Sequence, residues 1–217
     1  MTLDEEFKII KEFEKKNKKI FLKGKTFNIY KKKKIKYGSK EHLNLLEERF
    51  KNGRNLNKDE TSENKKKKKK VIPDPAVYDY IKTKYDLGDN SVEEVKYHHN
   101  IAMDAENKIG HYLEEFIYNK LNNKDWIWCT GGILRSIDFI KKNINKKTSW
   151  TMLQIKNSDN SQNSSSDKAT KGTDIKLWFR RFSLKGGTNW DNLKEITSSD
   201  DLTEENFLDF LRGKAKN

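Results

Sequence analysis

Four side chains between positions 106 and 156 are spaced for one chemistry: Glu106, Asp138, Gln154 and Lys156. Residues two apart on a strand share a face, so Gln154 and Lys156 point the same way, with Ile155 opposite. Asp138, on an adjacent strand, can be brought beside them. Carboxylate and amide oxygens are hard ligands suited to Mg²⁺, and a cation held there polarises a phosphodiester and acidifies water. Lys156 adds a charge that positions or deprotonates that water and offsets charge in the transition state. Asp138 is flanked by Ile137, Phe139 and Ile140, and a carboxylate in so apolar a strand needs a partner. A non-chemical reading fits the same residues: a snorkelling lysine, an aspartate capping a turn, and a glutamate on a helix surface.

The elements that must position these groups follow from periodicity. Leu3, Phe7, Ile10 and Phe13 predict an amphipathic helix over 3–16, with Asp4, Glu5 and Glu6 in its first turn. Residues 20–22 and 26–30 read as extended, and 40–50 as a second helix with Leu43, Leu46 and Phe50 on one side. From Asn52 to Lys70 the chain reads as a linker with almost no apolar residues. After Pro73 and Pro75, a helix over 75–84 is expected to turn Val77, Tyr80 and Ile81 inward. A longer helix follows at 92–121, with Ser91 as N-cap and Glu94 in the capping-box position. Its stripe is Ala102, Ala105, Ile109, Leu113, Phe116 and Ile117. Trp126 to Cys129 then reads as a strand and Gly131-Gly132 as a turn. Ile133–Lys141 and Trp150–Lys156 form a hairpin. A Ser/Asn/Asp-rich loop over 157–172 precedes two further helices, at 174–182 and 203–212. The order predicts an α/β or α+β core with a helical N-terminal part.

Composition bounds the partners. The 217 residues carry a net charge of +13, with 33% hydrophobic and 36% charged residues. Five Trp, 8 Tyr and 11 Phe argue for a packed core despite that polarity. The whole positive excess lies in residues 1–70, which hold 24 Lys and Arg against 11 Asp and Glu. It peaks at Lys31–Lys34 and Lys65–Lys70, as expected for a polyanion partner. A general bias toward lysine on a solvated surface is the bland alternative. One cysteine, Cys129, excludes an internal disulfide and a cysteine-based zinc site. No apolar run is long enough for a membrane helix, and the N-terminus lacks a signal-peptide pattern. A soluble, cytoplasmic protein is the expectation.

The succession of helix with Glu, hairpin with Asp, and (D/E/Q)-x-Lys resembles the PD-(D/E)xK nuclease superfamily. More narrowly, several stretches resemble the SinI-like family of type II restriction endonucleases. They are His99–Met103, Ala105–Asn107, Trp126–Cys129, Asp138–Ile140, Gln154–Asn157, Asp159–Ser161, Asn163–Ser166, Gly172-Thr173, Trp178–Arg180 and Thr188–Trp190. The resemblance covers about residues 97–192. It implies an α/β restriction endonuclease-like core, a central mixed sheet flanked by helices, over 71–217, with a basic, largely helical region over 1–70. It further implies a bacterial, homodimeric, magnesium-dependent enzyme that cuts both strands of double-stranded DNA at a short near-palindromic site, GGWCC in this family. A cognate methyltransferase would act on the same site without being a stable partner. Carried over, Asp138 is the central metal ligand, Lys156 the catalytic lysine and Glu106 an additional acid. Gln154 and Ile155 complete the metal set. Gln154 departs from the superfamily, where Asp or Glu is usual; an amide oxygen brings no charge, so Asp138 and Glu106 carry more of the binding.

Base reading needs paired donors and acceptors. Asn157, Asp159, Asn160, Gln162 and Asn163, with Arg180, Arg181 and Asn189 close behind, are the expected groove contacts, while the lysine runs supply phosphate affinity. His98-His99-Asn100 reads as surface, because adjacent histidines on a helix diverge by about 100°. Ile29-Tyr30 with Tyr37-Gly38 resembles a GIY-YIG signature only faintly, and Trp178 and Phe179 read as core. Two rival readings remain: a non-catalytic nucleic-acid-binding protein, and a repair or strand-processing nuclease of the same superfamily.

Overall fold

The computed structural model describes residues 1–17, 35, 38–54, 74–121, 124–134, 136–143, 150–159 and 172–215. The chain divides into two units, one combining Met1–Leu56 with Leu113–Asn217, the other Asn57–Tyr112. A boundary near residue 70 does not follow this division, because the N-terminal helices belong to the unit that holds the sheet. The extended stretches expected at 20–22 and 26–30, and most of the expected linker, lie outside the described residues.

In the first unit, α1 (Leu3–Lys16) starts at a capping box. The Glu5 N–H donates to Thr2 Oγ1 and the Thr2 N–H to Glu5 Oε2, satisfying two donors that a helix start leaves open. Helix α2 (Lys40–Gly53) is capped by Ser39. Phe7, Ile10 and Phe13 of α1 and Leu46 and Phe50 of α2 are buried, each worth about 1.5–3 kcal/mol of transfer from water. They pack with Ile127, Ile140, Met152 and Ile175 of the sheet. That sheet runs β1 (Trp126–Trp128), β2 (Phe139–Lys142), β3 (Trp150–Ser158) and β4 (Ile175–Arg181) in spatial order. The first three strands are antiparallel, and β4 is parallel to β3, with Gln154 beside Leu177 and Lys156 beside Phe179. The opposite face carries an aromatic pile. Trp190 lies 5.2 Å from Trp178, 5.8 Å from Phe116 and 5.9 Å from Phe207.

Segment 174–182 was expected to be helical and is strand β4. Its apolar spacing fits either period, and pairing with β3 decides in favour of the strand, which suits its Ile, Trp and Phe. An unforeseen helix, α5 (Trp190–Thr197), follows it, and α6 (Glu204–Ala215) closes the described chain. In the second unit, α3 (Pro75–Tyr85) buries Tyr78 and leaves Ile81 half-buried, while Val77 and Tyr80, expected inward with Ile81, are exposed. Helix α4 (Asp89–Leu121) begins before Ser91, which therefore lies inside it; the Val92 N–H already donates to the Gly88 carbonyl. The stripe of α4 divides: Leu113, Phe116 and Ile117 are buried, whereas Ala102 and Ala105 are exposed. No helix among the described residues is long and apolar enough to cross a membrane.

One close approach fixes the route from β1 to β2. After β1 the chain makes a 3₁₀ turn at Thr130–Gly132, where Gly131 has φ of 75°. A Cβ on Gly131 would lie 2.2 Å from the Arg49 carbonyl oxygen, and one on Gly53 would lie 2.4 Å from the Gly131 nitrogen. The turn is tied to α2 by Thr130 Oγ1–H donating to the Phe50 carbonyl at 2.8 Å and by Arg49 Nε–H donating to the Gly131 carbonyl at 3.3 Å. Gly131→Ala combines a left-handed backbone with a clash against main chain. It should lower stability by about 2–5 kcal/mol, a fall of roughly 5–15 °C in Tm, measured by thermal unfolding.

Candidate active site at the β2–β3 strand ends

Asp138 continues the sheet just before β2: its N–H donates to the Leu153 carbonyl at 2.9 Å, and its carbonyl accepts from the Cys129 N–H at 2.7 Å. Its side chain turns to the neighbouring strand, where Oδ2 accepts from the Ile155 N–H at 2.7 Å. Burial pushes this carboxyl up to about 6, against the opposing pull of that N–H and of the Lys156 charge. Beside it stands an acid from α4, Glu114, whose Oε2 accepts from the Trp128 indole N–H at 2.8 Å. Burial, and then the charge of Asp138, raise Glu114 to about 8. The buried thiol of Cys129 is pushed well above its usual range by burial first and Asp138 second.

Sequence reasoning missed Glu114. The available signal was its place in the run from Leu113 to Ile117, where the flanking apolar residues are buried and a carboxylate needs a reason to be. Glu106, the acid taken from the resemblance, is exposed and lies in the second unit. Gln154 is buried, and its Oε1 has no hydrogen-bond partner among the described residues. Lys156 is half-buried. Among the described residues no cluster of three or more His, Cys, Asp or Glu side chains could hold a metal. Mg²⁺ does not require one: it keeps several waters and takes one or two carboxylates, with substrate phosphate completing the shell. Two buried carboxylates, the charge of one raising the other, fit such a cation.

The expected base readers serve the framework in several cases. Arg180 is buried: its Nε–H donates to Asn157 Oδ1 at 2.9 Å, it pairs with Glu204, and it lies 5.2 Å over the Phe207 ring. Asp159 Oδ1 accepts from the Ser183 N–H at 2.7 Å and also from the Ser183 hydroxyl. Asn189 donates through Nδ2 to the Phe179 carbonyl at 3.2 Å, and its own carbonyl accepts from the Trp178 indole at 2.9 Å. Arg181 is exposed. Asn160, Gln162 and Asn163 lie outside the described residues. Trp178 is fully buried and Phe179 half-buried, in a strand rather than at the helical spacing that placed them in the core, and His98 and His99 are exposed.

A raised carboxyl pKa stabilises the fold below the unfolded value and loses that contribution as pH rises through the folded one. Without divalent cations, stability should therefore fall between about pH 4 and pH 8, as the Asp138–Glu114 pair is forced to ionise. Glu114→Gln, which keeps an oxygen for the Trp128 indole, should flatten this slope in urea titrations run in EDTA. An unchanged slope would remove the pair as its source.

The chain matches the SinI restriction endonuclease family over residues 2–216. It is 37% identical over 175 residues to the type II restriction enzyme SinI of Salmonella infantis, covering 81% of this chain and 73% of that one. It is 36% identical over 182 residues to the type II restriction enzyme Eco47I of Escherichia coli, covering 84% and 76%. On these matches the chain belongs to the SinI restriction endonuclease family.

Proposed function

We propose that this chain hydrolyses phosphodiester bonds in both strands of duplex DNA at a short near-palindromic sequence of the GGWCC type, with Mg²⁺ and as a homodimer. The observation that carries the reading is the Asp138–Glu114 acid pair at the β2–β3 strand ends, with the charge of Lys156 acting on it. Asp138, Glu114 and Gln154 would hold the cation, which when bound supplies Lewis-acid polarisation of the scissile phosphate. Glu114 takes the role that the resemblance assigns to Glu106.

The residues of the chain do the remainder. The Ile155 N–H fixes Asp138 and the Trp128 indole fixes Glu114, so neither carboxylate has to reorganise when the phosphate arrives. The Lys156 ammonium orients the attacking water and offsets the negative charge that builds on the phosphoryl oxygens as the P–O bond breaks. The N-terminal lysines add phosphate affinity without sequence information.

Cleavage of a long duplex, in Mg²⁺ and separately in EDTA, with sequencing of the ends, tests the reading. Discrete, Mg²⁺-dependent fragments sharing one motif are expected. Asp138→Asn should abolish them, and Lys156→Ala and Glu114→Gln should each slow cleavage by about 10²–10³-fold, with Glu106→Gln close to the parent. Binding that falls steeply with salt, without cutting in either buffer, would instead identify a DNA-binding protein. Cutting at ends or structures would identify a processing nuclease.

A further inference from the structure

In the second unit, Lys96 Nζ of α4 lies 5.2 Å from the ring of Tyr78 on α3, and Tyr78 and Val92 are both buried. A helix turns about 100° per residue, so Ile101 points about 180° away from Val92. On that outward side Ile101 is 48% exposed and Tyr97 64% exposed. A shallow open groove runs along them past Ala105, edged by Asn100, Asp104 and Lys108. Side chains this apolar on the side of a helix turned away from its packing partner call for an occupant.

The sequence of this face indicates which occupant. Residues equally distant on either side of Ile101 are matched in size and charge: Tyr97 with Ala105, Glu94 with Lys108, and His98 with Asp104. Glu94 and Lys108 project within about 20° of Ile101, and His98 and Asp104 about 60° to either side, so all belong to one face. A two-fold axis through Ile101 relates two antiparallel copies of the helix and opposes the members of each pair. The large ring of Tyr97 then meets the small Ala105, the Glu94 carboxylate meets the Lys108 ammonium, and no like charges face each other. Each pair occurs twice, as an isologous contact requires. Lys108 also pairs with Asp104 of its own helix at 3.1 Å and keeps 47% of its side chain exposed, which leaves room for a second carboxylate.

We infer that this face of α4 is a contact between two copies of the chain, with antiparallel helices meeting at Ile101. The inference rests on the homodimer reading and adds the surface that forms it. Sedimentation equilibrium of the full chain and of charge-swapped variants tests it without using cleavage. The parent should be dimeric. Glu94→Lys and Lys108→Glu each bring like charges together at both symmetric positions, and each should raise the dimer dissociation constant by at least about tenfold. An equimolar mixture of the two should regain a dimer, because every opposed pair is again of unlike charge. Ile101→Glu should dissociate the dimer without loss of helical circular dichroism. A parent dimer indifferent to all three substitutions, or singly dissociated variants that do not recover on mixing, would overturn this surface and leave the homodimer reading intact. A monomeric parent would overturn both.

Discussion

The guanidinium of Arg54, at the end of α2, lies in a box of three aromatic faces, 5.1 Å from Phe50, 4.1 Å from Tyr118 and 5.0 Å from Trp128. It pairs with Glu6 of α1 and donates to the Trp128 carbonyl at 2.8 Å, while the Tyr118 hydroxyl donates to the other oxygen of Glu6 at 2.9 Å. One buried ion pair thus joins both N-terminal helices, the end of α4 and the first strand. Removing one member of such a pair leaves an uncompensated charge, at a cost of about 3–5 kcal/mol. The cation–π contacts and the second acceptor allow a full positive charge inside the first unit. Burial still raises the Glu6 carboxyl, while Arg54 and Tyr118 pull it back.

Trp128 connects this frame to the chemistry. Its carbonyl holds Arg54, its ring lies 5.5 Å from Tyr118 and 6.4 Å from Phe139, and its indole N–H holds Glu114. A displacement of β1 would therefore move the acid that stands next to Asp138. Asp138 is held with equal economy: its main chain completes the sheet, and its side chain takes the Ile155 N–H. The basic N-terminal third supplies α1 and α2 to the core of the sheet as well as the whole positive excess of the chain.

The helices at 3–16 and 40–50 follow from a period of 3.6, and the strand from Trp126 and the hairpin from short apolar runs; the first arm of the hairpin begins at Phe139 rather than at Ile133 as expected. Strand β4 was misread because Ile175, Trp178 and Phe179 recur at helical spacing, while Ile175, Leu177 and Phe179 alternate as a strand does, and only a partner 20 or so residues earlier in the chain distinguishes the two. Asp138, Gln154 and Lys156 could be named from a short stretch because two adjacent strands position them. Glu114 could not, since its place beside Asp138 depends on which turn of a long helix lies over the strand ends. The polar groups of Arg180, Asp159 and Asn189 resemble base readers in sequence, yet each has an internal partner contributed by a distant segment.

The place of the chain's single thiol gives the protein a property of its own. Cys129 is buried, its S–H donates to the Ile127 carbonyl at 3.7 Å, and its N–H is bonded to the carbonyl of Asp138. A thiol reacts as the thiolate, and burial beside an acid suppresses that form. Alkylation must therefore wait for the β1–β2 edge to open, and its rate under native conditions counts those openings. One peptide hydrogen bond from Asp138 of the candidate site, the chain carries an intrinsic clock for how often that edge of the sheet comes apart.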